Sequence, residues 1–130
     1  MEMLESRVEA EIREVLDKYF VVEQLHRMAV SFVECKLKEP LVFSKLCLIH
    51  YRMFGGTHPD IYRAAASLEL AVLSLDIIDD LQDQDHRAMP WCQSPPPLSL
   101  NVAIALLTAA ISHCWTVRLT GSCYLRRPSS

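Results

Sequence analysis

Apolar positions recur along the first third of the chain at three- and four-residue steps. Leu4, Val8, Ile12, Val15, Leu16, Tyr19 and Phe20 lead on to Leu25, Met28, Ala29, Phe32 and Val33, with Glu and Arg between them. This spacing predicts one amphipathic helix, or two consecutive ones, reaching about Leu37. Pro40 marks a break, and the pattern resumes over Leu41–Met53. Phe54-Gly55-Gly56-Thr57-His58-Pro59-Asp60 punctuates the chain. A glycine there suits a helix C-cap, Thr57 can cap the next helix, and Pro59 fits its first turn. A further helix is expected from about Asp60 to Asp83. Gln84–Pro97, with Pro90, Pro95, Pro96 and Pro97, reads as a loop. Leu98–Ile111 then reads as an apolar helix interior to a bundle. The fold class expected is all-α, in one domain over 1–111, with an off-pattern tail over 112–130.

The Asp60–Asp83 helix changes character along its length. Its first turns are almost wholly apolar, and it then delivers Asp76, Asp79, Asp80, Asp83 and Asp85. Positions i, i+3, i+4 and i+7 share one helical face, so Asp76, Asp79, Asp80 and Asp83 form one acidic stripe. Glu69 lies two turns earlier on the same face. Like charges at these spacings each cost roughly 0.2–0.5 kcal/mol on an exposed helix. Burial among Leu70, Leu73, Ile77, Ile78 and Leu81 raises that cost. A divalent cation relieves it: Mg²⁺ prefers carboxylate oxygens, keeps several waters and commonly bridges to substrate phosphates. A plain solvated acidic face is the alternative, and the apolar preceding turns speak against it. A calcium EF-hand loop is disfavoured, because neither its glycine nor its closing glutamate is in place.

Composition narrows the field. The chain has 130 residues, half of them apolar, and a formal charge of −3. One domain fits, and disorder is not the default. No basic patch is interleaved with aromatics, which argues against nucleic acid as a partner. Cys35, Cys47, Cys92, Cys114 and Cys123 are odd in number and lack CxxC spacing. Free thiols and a cytoplasmic location are expected. The longest apolar run, Val102–Ile111, falls short of the ~20 residues of a membrane span.

Asp79-Asp80-Leu81-Gln82-Asp83 resembles the DDxxD motif of the isoprenyl diphosphate synthases. Glu69 and Gly55-Gly56 stand at spacings similar to that family's. The likeness runs over roughly Phe43 to Ile111. It is greatest to the branch that prenylates a tryptophan of a bacterial competence pheromone. Asp76-Ile-Ile-Asp-Asp-Leu-Gln-Asp-Gln-Asp85, Trp91, and His50-Tyr51 before Phe54-Gly55-Gly56 carry that part of the resemblance. It implies the N-terminal portion of an isoprenoid-synthase helical bundle and a prenyltransferase using Mg²⁺. Asp79, Asp80 and Asp83 would be the metal ligands and catalytic aspartates, with Asp76 and Asp85 as outer partners. Lys45, Arg52, Gly55, Gly56 and Arg87 would bind substrate, and Ser74 and Leu75 would set prenyl chain length. The implied partners are geranyl or farnesyl diphosphate, a pheromone precursor peptide, and a second copy of the chain.

Two departures shape that expectation. Thr57-His58-Pro59 stands where the family carries bases for a homoallylic diphosphate, which agrees with a peptide indole as acceptor. After Asp85 the sequence has no Asp or Glu, so no second aspartate-rich helix follows. The chain is expected to be truncated or frameshifted and inactive alone. Competing readings are an ordinary chain-elongating synthase using isopentenyl diphosphate and a non-catalytic helical fragment.

Overall fold

The computed structural model describes residues 2–85 and 87–118. Its elements are α1 (Glu2–Tyr19), α2 (Glu23–Leu37), α3 (Val42–Met53), α4 (Ile61–Asp83), α5 (Pro90–Gln93) and α6 (Pro96–Cys114). The fold is all-α, with no strand among the described residues.

The first helical pattern resolves into two helices. α1 buries Val8, Ile12, Val15 and Leu16, one stripe at helical spacing. Glu2 and Glu5 in its first turn and Lys18 in its last complement the helix dipole. Arg13 fastens α1 to α2, donating to Glu9 (2.8 Å) and to Glu34 (2.6 Å). Phe32 and Val33 carry the α2 stripe inward.

α4 is the axis around which α1, α3 and α6 pack. It buries Tyr62, Ala65, Ala66, Leu70, Leu73 and Ile77, and also Glu69 and Asp80. Its most extensive neighbour is α6, whose buried face is Ser99, Val102, Ala103, Leu106, Ala109, Ala110 and His113. Small residues dominate that face, so the two backbones approach closely. Ser74 Oγ–H donates to the Ala103 carbonyl across the interface at 2.6 Å. A polar side chain in this contact is thereby satisfied rather than stranded.

Four expectations need correction. Thr57 does not cap α4; Asp60 is the N-cap residue, without a side-chain cap bond. Its carboxylate instead accepts the Arg118 N–H at 2.9 Å. Gln84–Pro97 is not uninterrupted loop, because Pro90–Gln93 forms α5 and α6 begins at Pro96. Prolines are tolerated in a first helical turn, where their missing N–H would have no intrahelical partner. The break expected after Ile111 comes late: α6 continues to Cys114, and His113 is buried. The rest of the expected tail, 119–130, lies outside the described residues, as does Cys123. Finally, no membrane-length segment was expected, yet the 19 residues of α6 carry no Asp, Glu, Lys or Arg. By length and composition α6 is long and apolar enough to cross a membrane. Here it packs along α4, with Leu98, Leu100, Ile104 and Ile111 left exposed.

Candidate functional site

The acidic stripe of α4 faces a solvent-open cavity of about 280 Å³, flanked by the end of α2 and by α5. Asp76, Asp79 and Asp80 form one wall. Lys36 and Glu39 stand on another, and Cys35, Leu73, Met89 and Trp91 supply apolar lining. The helical spacing thus sets Asp76, Asp79 and Asp80 along one side of the cavity. Asp83 is the last residue of α4, exposed and outside this lining. Asp76, expected as an outer partner, lines the cavity.

Each acid has a distinct environment. Asp80 is buried, and its Oδ2 accepts the Trp91 Nε1–H at 2.8 Å. The indole packs edge-on against Phe32, with ring centroids 5.7 Å apart. Trp91 O in turn accepts the Ser99 hydroxyl at 2.7 Å. Trp91 therefore ties α5 to α2, α4 and α6 and holds one oxygen of Asp80 in a set orientation. Burial pushes the Asp76 carboxyl above its ordinary range. Lys36 opposes that shift, and Asp80, Glu39 and Asp79 reinforce it. Asp79 is exposed.

Glu69 is 1% exposed. It accepts the Ser44 backbone N–H at 2.7 Å and lies 3.8 Å from Lys36 Nζ. It is a buried anchor rather than part of the open wall. Its Oε2 has no hydrogen-bond partner, so the Lys36 ammonium is its nearest compensation. Lys36 also sits 6.0 Å from the Phe43 ring centroid. This lysine is the cation that sequence reasoning missed. A base near a helix end carries no distinctive local signal; only packing sets it beside Glu69 and opposite Asp76.

The residues expected to bind substrate are elsewhere. Lys45 pairs with Glu5 of α1. Arg52 donates to the Tyr62 hydroxyl at 3.4 Å. Gly55 adopts φ +81° in the turn after α3, and Gly56 lines a separate cavity with Arg52. From Tyr62 to Asp76 the helix rises about 21 Å, so this group and the acidic cavity occupy different ends of α4. Arg87 is exposed, donating weakly to Gln84 O at 3.4 Å. Ser74 is buried beneath α6 and Leu75 faces outward. Neither lines the acidic cavity.

Oxygen-rich carboxylates are the donor set that suits Mg²⁺. Among the described residues, however, no three His, Cys, Asp or Glu side chains are gathered as a ready ligand group. The wall is acidic without being a preformed cage.

No family model matches the chain, and no solved structure does. Two curated proteins do. The chain is 31% identical over 107 residues to the tryptophan prenyltransferase ComQ of Bacillus subtilis strain 168, covering 82% of this chain and 35% of that protein. It is 32% identical over 106 residues to ComQ of Bacillus subtilis subsp. natto strain BEST195, covering 81% and 33%. The chain spans about a third of the length of these relatives. Over its helical body, this chain is similar to the ComQ tryptophan prenyltransferases.

Proposed function

We propose that the acidic cavity receives the diphosphate of an allylic prenyl donor, such as geranyl or farnesyl diphosphate, and that the parent activity is prenyl transfer to a peptide tryptophan. The observation that carries this reading is the wall of Asp76, Asp79 and Asp80 facing Lys36, in a chain similar to tryptophan prenyltransferases. Asp76 and Asp79 would hold Mg²⁺ together with the free oxygen of Asp80. The ion would supply charge neutralisation of the leaving group.

The chain's own groups have separable tasks. Lys36, steadied by Glu69, offers a cation to the diphosphate, where negative charge grows as the carbon–oxygen bond breaks. Trp91 fixes Asp80. Leu73, Met89 and Cys35 keep one side of the cavity apolar, which limits water near a carbocation. The acceptor reading rests on the relatives' name and on Thr57-His58-Pro59. One acidic wall neutralises one side of a diphosphate, so this 130-residue chain is expected to bind the donor without turning it over.

Calorimetric titration with farnesyl diphosphate tests the site. Binding should require Mg²⁺ and be lost in Asp76→Ala/Asp79→Ala. Equal binding by the double variant would refute the assignment. Complete absence of Mg²⁺-dependent binding would favour the non-catalytic reading. Incubation with labelled farnesyl diphosphate, Mg²⁺ and a tryptophan peptide tests turnover. Product above the no-protein control would overturn the expectation of none.

A further inference from the structure

The acidic cavity carries a second set of donor atoms besides its carboxylates. Cys35 of α2 and Met89, the N-cap residue of α5, both line it. The Cys35 thiol donates to Met89 Sδ, with the two sulfurs 3.8 Å apart. The residues are 54 positions apart in sequence, so the packing of α2 against α5 alone makes the pair. Both are half-buried rather than sealed in the core, and Cys35 is a free thiol.

A thiol–thioether hydrogen bond is weak, and these atoms have a stronger partner open to them. Thiolate and thioether sulfurs are soft donors that select cations such as Cu⁺, whereas Mg²⁺ and Ca²⁺ take oxygen. Two metal–sulfur bonds of about 2.3 Å span the 3.8 Å separation with roughly 110° at the ion. The surroundings favour a cation. Asp76, Asp79, Asp80 and Glu39 line the same solvent-open cavity against Lys36 alone, and such an excess of one sign concentrates the opposite ion. Lys36 is itself drawn back toward Glu69, 3.8 Å away.

We propose that Cys35 and Met89 form a site for a soft monovalent cation of the Cu⁺ class. As the ion binds, the Cys35 S–H bond breaks, its electron pair forms the sulfur–metal bond, and the proton passes to solvent. Met89 contributes a lone pair, and nothing is oxidised or reduced. The site rests on the sulfur pair and stands apart from the prenyl-donor reading. With no ion bound, the two sulfurs remain the apolar lining described above.

The probe is Ag⁺, a redox-inert soft ion of the same charge, titrated calorimetrically in chloride-free buffer. The other thiols also bind Ag⁺, so the parent for the test carries Cys47→Ser, Cys92→Ser, Cys114→Ser and Cys123→Ser. It should take up a single Ag⁺ per chain and release a proton. Met89→Leu, which conserves volume, should weaken that binding at least several-fold, and Cys35→Ser should abolish it. Excess Mg²⁺ should not displace the ion. In the unaltered protein Ag⁺ should shift the Met89 methyl resonance, which keeps the test open if the four-serine parent does not fold. Binding as tight in Met89→Leu as in the parent would reduce the site to a lone thiol and overturn the proposal. Binding that survives Cys35→Ser, displacement by Mg²⁺, or an unmoved Met89 resonance would overturn it too.

Discussion

Trp91 and Asp80 are the pair on which the acidic cavity turns. The indole N–H satisfies a carboxylate that is only 8% exposed. Trp91→Phe removes the donor while keeping an aromatic ring. It should destabilise the fold by about 2–4 kcal/mol, combining a stranded buried acceptor with lost volume. Chemical denaturation measures this, and Asp80→Asn, which keeps an acceptor oxygen, should cost less. Asp76 gives a pH signature. Its carboxyl is raised in the folded state, chiefly by burial, so the folded protein binds that proton more tightly than the unfolded chain does. The associated stability is present at acid pH, below the ordinary carboxylate value of 3.8. It is lost as pH rises through the raised folded value. Asp76→Asn should therefore stabilise the metal-free protein at neutral pH, with the gain shrinking as pH falls. A gain that grows toward acid pH would show the sign to be wrong.

At the scale of elements, α4 is held on two sides by different chemistry. Toward α2 and α3 the tie is polar: Glu69 reaches Ser44 N–H and Lys36 from a fully buried position. Glu69→Ala leaves an N–H and an ammonium unpaired and should cost about 3–5 kcal/mol, the range for breaking a buried pair. Glu69→Gln keeps an acceptor for Ser44 and should cost less; equal losses would mean the Ser44 hydrogen bond contributes nothing. Toward α6 the tie is steric. Ala103 is fully buried where Ser74 reaches its carbonyl, so Ala103→Leu should push the helices apart at a cost of about 1–3 kcal/mol. Thermal melts rank all three variants. In the α3–α4 turn, a methyl at Gly56 would collide with the Tyr51 ring. The same ring's hydroxyl holds His58 N–H, so Gly56→Ala should disturb the α3–α4 turn before it disturbs the core.

For the whole molecule, apolar surface is the unbalanced feature. Val42, Leu46, Ile49 and Met53 share the outer face of α3, and Leu100, Ile104 and Ile111 that of α6. Surface of this kind marks sites of association. The chain should self-associate as its concentration rises, and Ile104→Glu with Ile111→Glu should shift light-scattering mass toward monomer; an unchanged mass would place the contact on another face. Ligand linkage works at the same scale. Mg²⁺ with inorganic diphosphate should raise the melting temperature beyond the metal-free response, because anything bound only to the folded state stabilises it. Asp79→Ala should remove that increment, whereas Asp83→Ala, outside the cavity lining, should remove less of it.

Local periodicity by itself determined the helices, the all-α class and the acidic stripe. Three- and four-residue recurrence of apolar residues is a property of one helix, and so is the alignment of Asp76, Asp79 and Asp80. The likeness around Asp79-Asp80-Leu81-Gln82-Asp83 was equally legible, because it lies in contiguous residues. Tertiary packing alone decided which acids share a cavity and what faces them. Lys36 is 40 positions before Asp76 and meets it only because α2 folds back along α4. The same packing buries Glu69 as an anchor, gives Asp80 to Trp91, and carries Arg52 and Gly56 to the opposite end of α4. It also lets two prolines begin α6, where the missing N–H groups cost nothing. A one-dimensional pattern assigns residues to the faces of a helix; which faces meet, and how far along the helix, depends on how side-chain volumes fill the space between helices.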